Sequence, residues 1–135
     1  MAGYSGTPLP KKLGIVEGAR VALINAPDGF SATLGALPAG VAVSTSARAG
    51  VDVVVVFVKE RAALAKALPK LEKAVFPAGA IWTAWPKKAS KVPTDITEDT
   101  VREVCLPRGL VDVKVCAIDD VWSGLKLVWR KELRS

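Results

Sequence analysis

The chain reads as an α/β domain of three layers: a mostly parallel sheet of about six strands, helices on both faces, and an antiparallel strand from a C-terminal hairpin. Three observations predict this. Residues 53–58 form an unbroken apolar run rich in β-branched side chains, bounded by Asp52 and Lys59, which is the pattern of a central strand covered on both faces. Strand-like and helix-like segments then alternate, and that alternation argues for parallel pairing through right-handed crossovers. The last two strand-like segments, 111–118 and 125–130, are joined by too few residues to cross over, so one of them must run antiparallel.

Residues 8–13 can form one helical turn, opened by proline and stopped by Gly14. Residues 20–25 are a short buried strand, broken by Ala26-Pro27-Asp28-Gly29, because Pro27 lacks an amide donor and Gly29 permits a turn. A short helix is expected over 30–37 and a weak edge strand over 41–44. Residues 51–58 are the strongest strand. Over 60–76 the apolar residues Leu64, Leu68, Leu71 and Val75 recur at helical spacing. Pro69 predicts a kink there or the start of a second helix. Residues 80–85 are the next buried strand, and 86–93 are a basic loop. Thr97 is a good N-cap, with Glu98 and Asp99 in the favoured first turn of a helix that ends near Leu106. Residues 119–124 read as the hairpin loop. With the strands numbered in chain order, the expected spatial order is 2-1-3-4-6-5. Residues 1–19 are read as an N-terminal arm and 20–135 as a single domain.

Composition narrows the function. The chain has 135 residues, 19 Lys and Arg against 13 Asp and Glu, a net charge of +6 and no histidine. The positive balance favours anionic partners, such as nucleotides, phosphorylated metabolites or acidic proteins, without singling out nucleic acid. Histidine-dependent triads and the common zinc spacings are excluded, and no metal site is expected. Cys105 and Cys116 stand in apolar contexts and read as buried free thiols. No apolar stretch is long enough to span a bilayer, and residues 1–6 lack the apolar segment of a secretion signal, so a cytoplasmic protein without membrane contact is expected. No P-loop occurs, and the short Gly3-Tyr4-Ser5-Gly6-Thr7 stretch reads as a flexible arm with Tyr4 packed on the body.

The closing order of strand, helix, strand, helix and reversed hairpin strand resembles the C-terminal half of the Rossmann-like methyltransferases over roughly the last 85 residues. The chain also resembles a family of short bacterial proteins of unknown function. The residues that carry this likeness are Tyr4-Ser5-Gly6-Thr7-Pro8-Leu9, Lys12-Leu13-Gly14-Ile15, Trp85-Pro86-Lys87-Lys88, Val113-Lys114-Val115-Cys116-Ala117 and Trp122-Ser123-Gly124. That resemblance implies the fold and no activity. Methyltransferases that use S-adenosylmethionine place a glycine-rich turn after the first strand and an acidic residue after the second. Here those positions read Asn25-Ala26-Pro27-Asp28-Gly29 and Ser44-Thr45-Ser46, so that cofactor is not expected to bind, and no other is implied.

In parallel α/β sheets, ligands bind outside the carboxyl ends of the strands. The topology should gather Asn25, Asp28, Lys59, Trp85, Lys87, Lys88, Asp119 and Trp122 at that rim, with Trp82 on the opposite face from Trp85. Ammonium groups beside aromatic faces suit a nucleotide or another flat anion. The plainer reading is a solvated basic loop next to core tryptophans. Asp119-Asp120 could act as an acid-base pair, but aspartates commonly frame hairpin turns. The sequence therefore favours a non-catalytic binding or regulatory domain that recognises an anion at the rim. Two rivals remain: an enzyme acting on a phosphorylated or nucleotide substrate, and a protein-protein interaction module using residues 41–44 or the C-terminal strand.

Overall fold

The computed structural model describes residues 7–134. The stretch Gly3 to Gly6, with Tyr4, lies outside the described residues. Six strands, β1 (Arg20–Ile24), β2 (Ala42–Ser44), β3 (Val53–Phe57), β4 (Ala80–Pro86), β5 (Leu110–Ala117) and β6 (Trp122–Trp129), form one sheet in the order β2-β1-β3-β4-β6-β5. The first four pair in parallel. β6 runs antiparallel to both β4 and β5. This is the expected order. It also places the C-terminal strand β6 inside the sheet, so the idea that this strand offers a free edge is wrong. The edges are β2 and β5, because the hairpin folds back so that its second strand takes the place next to β4.

The sheet separates two cores. Val54, Val56, Ile81, Trp85, Leu125 and Leu127 face α3 (Arg61–Val75) and α4 (Glu98–Cys105). Val53, Val55, Phe57 and Trp82 face α1 (Leu9–Lys12), α2 (Phe30–Leu34) and the segment through Leu13 and Ile15. All five residues of β3 are buried. This is why its apolar run is unbroken: alternate side chains feed opposite cores.

Several boundaries differ from expectation. α2 stops at Leu34, because Gly35 takes a φ of 79°, the left-handed region that glycine occupies freely. α3 runs through Pro69 as one helix, so of the two outcomes expected there the second helix does not occur. Its buried stripe of Leu64, Leu68, Leu71 and Val75 holds both halves to the sheet. α4 starts where expected: the Thr97 hydroxyl accepts from the Thr100 amide while the Thr100 hydroxyl accepts from the Thr97 amide.

The hairpin turn is tighter than residues 119–124. One Asp119 carboxylate oxygen accepts from the amides of Val121 and Trp122, both at 2.8 Å, and β6 begins at once. Gly124 therefore belongs to the strand. A Cβ there would lie 2.9 Å from Ile118 Cδ1 and 3.2 Å from the Trp82 ring, so this glycine serves a close approach of side chains rather than a turn.

Candidate functional site at the strand carboxyl ends

The parallel register brings the ends of β1, β3 and β4 to one rim, spanning roughly 10 Å at ordinary strand spacing. Asn25 leaves β1 with a φ of 59°, a left-handed conformation that turns the chain sharply towards Pro27 and Asp28. Lys59 follows β3, and its carbonyl accepts from the Thr94 hydroxyl at 2.6 Å and the Asp95 amide at 3.2 Å. The 94–96 loop thus folds over the end of β3 and buries Ile96. Lys87 follows β4, and its amide donates to the Val121 carbonyl at 2.7 Å, tying the basic loop to the hairpin turn. The Ser90 hydroxyl donates to the Lys87 carbonyl at 2.6 Å, and Lys91 closes the turn in a left-handed conformation. The loop is therefore held by its own hydrogen bonds. Lys59, Lys88, Lys91, Asn25, Asp28 and Asp120 are exposed, and Lys87 is half-buried. No carboxylate of the described residues pairs with Lys59, Lys87, Lys88 or Lys91.

The structure does not bring the two rim tryptophans together. Trp85 enters the core under α3, Trp122 enters the core on the other face, and both are buried. Their rings offer no open stacking platform. Trp82 does lie on the opposite face from Trp85. Asp119 spends one carboxylate oxygen on two backbone amides, which is a turn role rather than that of a free base. Among the described residues no group of histidine, cysteine, aspartate or glutamate side chains has the spacing to hold a metal ion. Cys105 and Cys116 are both free thiols. Cys105 is fully buried, and burial, with Glu72 adding to it, pushes its thiol up to about 12. Such a group stays protonated and unreactive at neutral pH.

What the sequence did not reveal is an aromatic plug. Phe57 ends β3, Phe30 begins α2 and Trp122 begins β6. Their rings pack edge to face at 4.9 Å (Phe30–Phe57) and 5.0 Å (Phe57–Trp122). All three are buried. The phenylalanine closing an otherwise valine run was the one available hint.

The fold can now be placed. The chain has the fold of the Rossmann-like methyltransferases. It superposes on the crystal structure of an S-adenosylmethionine-dependent methyltransferase from Aquifex aeolicus with a TM-score of 0.64, at 15% identity, covering 93% of this chain and 89% of that one. A ribosomal protein L11 methylase from Lactobacillus delbrueckii subsp. bulgaricus matches with a TM-score of 0.53 at 12% identity, over 82% of this chain and 69% of that one. No family model and no curated protein matches the chain. The likeness extends well beyond the last 85 residues that the sequence suggested, since it covers 93% of the chain.

The residues present do not fit the cofactor that this fold commonly carries. Pro27 leaves the turn after β1 without an amide donor at that position, and the Phe30–Phe57–Trp122 plug fills one face of the sheet where β3 ends and β6 begins. After β2 there is no carboxylate. Ser44 turns its hydroxyl back onto the Ser46 carbonyl at 2.9 Å.

Proposed function

We propose that this is a cytoplasmic, non-catalytic binding domain on a methyltransferase-like scaffold, which takes an anionic ligand or acidic partner at the rim through Lys59, Lys87 and Lys88. The observation that carries this reading is a basic loop preorganised by its own hydrogen bonds, whose lysines have no carboxylate partner among the described residues. Ammonium groups without local counterions, carried on an ordered backbone, gain from an incoming anion. Asn25 and Asp28 border the same edge and would set the orientation of a ligand. No helix of the described residues is long and apolar enough to cross a membrane.

Two measurements test this. The double variant Lys87→Ala/Lys88→Ala should weaken binding of ATP or inorganic polyphosphate, with direct charge-assisted contacts contributing about 1.5–3 kcal/mol each. Stability should change by no more than about 0.5 kcal/mol, since Lys88 is exposed and the tie of Lys87 to the hairpin runs through its backbone amide, which alanine keeps. Equal affinities of wild type and variant in a calorimetric titration would return the loop to ordinary solvated surface. The second measurement is a titration with S-adenosylmethionine to millimolar concentration, which should give no one-to-one isotherm. A saturable curve in the micromolar range would favour a methyltransferase instead.

A further inference from the structure

A second site lies at the opposite end of the sheet. A cleft of about 320 Å³ opens at the amino ends of the parallel strands, walled by Leu13, Val16, Val53, Ala80 and Val128, with Lys126 at one side. Lys126 belongs to β6, an interior strand, where a lysine is unusual. It stands directly opposite Lys114 of β5 in the strand pairing, so both ammonium groups rise from the same face. Like charges directly opposite one another destabilise a sheet. Lys12 turns its ammonium towards the other end of β5, donating to the Ala117 carbonyl at 3.1 Å. No carboxylate of the described residues pairs with any of the three.

We propose that this cleft binds a small organic carboxylate with an apolar body, its carboxylate held by Lys126 with Lys114 and its body lying against Val53, Ala80 and Val128. A like-charged lysine pair at the margin of a cleft is a local conflict of the kind that functional sites retain. An anion between the two lysines removes it. Burial first, then Lys114, pushes the Lys126 ammonium below the ordinary lysine value, as a cation short of counterions behaves. The other wall of the cleft carries Glu17 and Asp52, with Asp52 accepting from the Arg20 amide at 2.8 Å. Those two carboxylates repel a phosphate or another dianion more strongly than a monoanion, which separates this site from the proposed rim.

The test follows backbone amide signals of the full chain by NMR during titration with hexanoate, with hexanol of the same length, and with inorganic phosphate. Hexanoate is expected to move the amides of Gly14, Gly18 and Val128 along a saturable curve and to bind more tightly than either comparison. Lys126→Met should weaken it by about tenfold or more, and Lys114→Gln should weaken it less. Hexanoate and hexanol binding equally well overturns the proposal, a comparison that stands even if Lys126→Met fails to fold. Unchanged hexanoate affinity in a folded Lys126→Met overturns it too, as do shifts confined to Lys87 and Lys88. That last pattern would leave the rim reading intact.

Discussion

Trp82→Ala should destabilise the domain by about 3–5 kcal/mol, the range for truncating a buried large aromatic. Trp82 is fully buried in the middle of β4, flanked by Val55 of β3 and Lys126 of β6. Its ring rests against Gly124, which has no side chain to fill the space left behind. Its indole nitrogen also donates to the Leu13 carbonyl at 3.0 Å. That bond, with Leu13 and Ile15 buried on the same face, fastens the segment after α1 to the sheet. Truncation therefore opens a cavity and orphans a buried carbonyl together. Trp82→Phe keeps a ring but removes the donor, and should cost about 1–3 kcal/mol. It should also speed hydrogen exchange at residues 9–15 ahead of the rest of the chain. Urea denaturation gives the first number. A Trp82→Ala loss under about 1 kcal/mol would mean that the two cores are far looser than their burial indicates.

The sheet was legible because its determinants are local. The valine run of β3 can only be satisfied between two apolar layers, and the short link between β5 and β6 permits only antiparallel pairing. Crossover handedness then leaves few orders to choose among. The errors lie where side chains override propensity. Pro69 starts no second helix, because the buried stripe on either side holds α3 to the sheet through it. Gly124 looks like a turn residue and is a strand residue, because Ile118 and Trp82 claim its space.

The rim was legible as a place and less so as a constellation. The lysines stand where the strand ends put them, but Trp85 and Trp122 belong to different cores. The amino-end cleft could not be read at all, because its lining comes from stretches far apart in the chain, around residues 13–19, 52–53, 78–80 and 126–128. Asp112 faces Leu127 while Lys114 faces Lys126, so the pairing slips between them. From the turn back to Lys114 the hairpin pairs regularly, Ala117 with Ser123, Val115 with Leu125 and Lys114 with Lys126. The bulge at Val113, which is itself half-exposed, then shifts the start of β5, so that Asp112 stands opposite Leu127 on the face covered by α3 and α4. No periodicity in the sequence marks such a slip.

The second large effect concerns Glu72, which is buried on α3 with only 8% of its surface exposed. Arg108, in the 3₁₀ turn after α4, grips its carboxylate with two parallel bonds, Nε to Oε2 at 2.8 Å and Nη2 to Oε1 at 2.6 Å. The Trp129 indole donates to the Glu72 carbonyl at 2.9 Å. One glutamate thus joins α3, the end of α4 and β6. Removing one partner of a buried pair typically costs about 3–5 kcal/mol, because the other charge is left without compensation. Arg108 is partly exposed, so water can reach part of the site, and Arg108→Ala should lose about 2–3 kcal/mol. Arg108→Lys keeps the charge and loses the fork, so its loss should be smaller, about 1 kcal/mol. Replacing both, Glu72→Leu with Arg108→Leu, removes the desolvated charge together with its partner and should fall close to wild type. Chemical denaturation of the three variants at neutral pH supplies the ordering. If Arg108→Ala lies within about 0.5 kcal/mol of wild type, the ion pair does not hold these elements. If the double variant is as unstable as Arg108→Ala, the loss comes from packing of the arginine stem rather than from a stranded carboxylate.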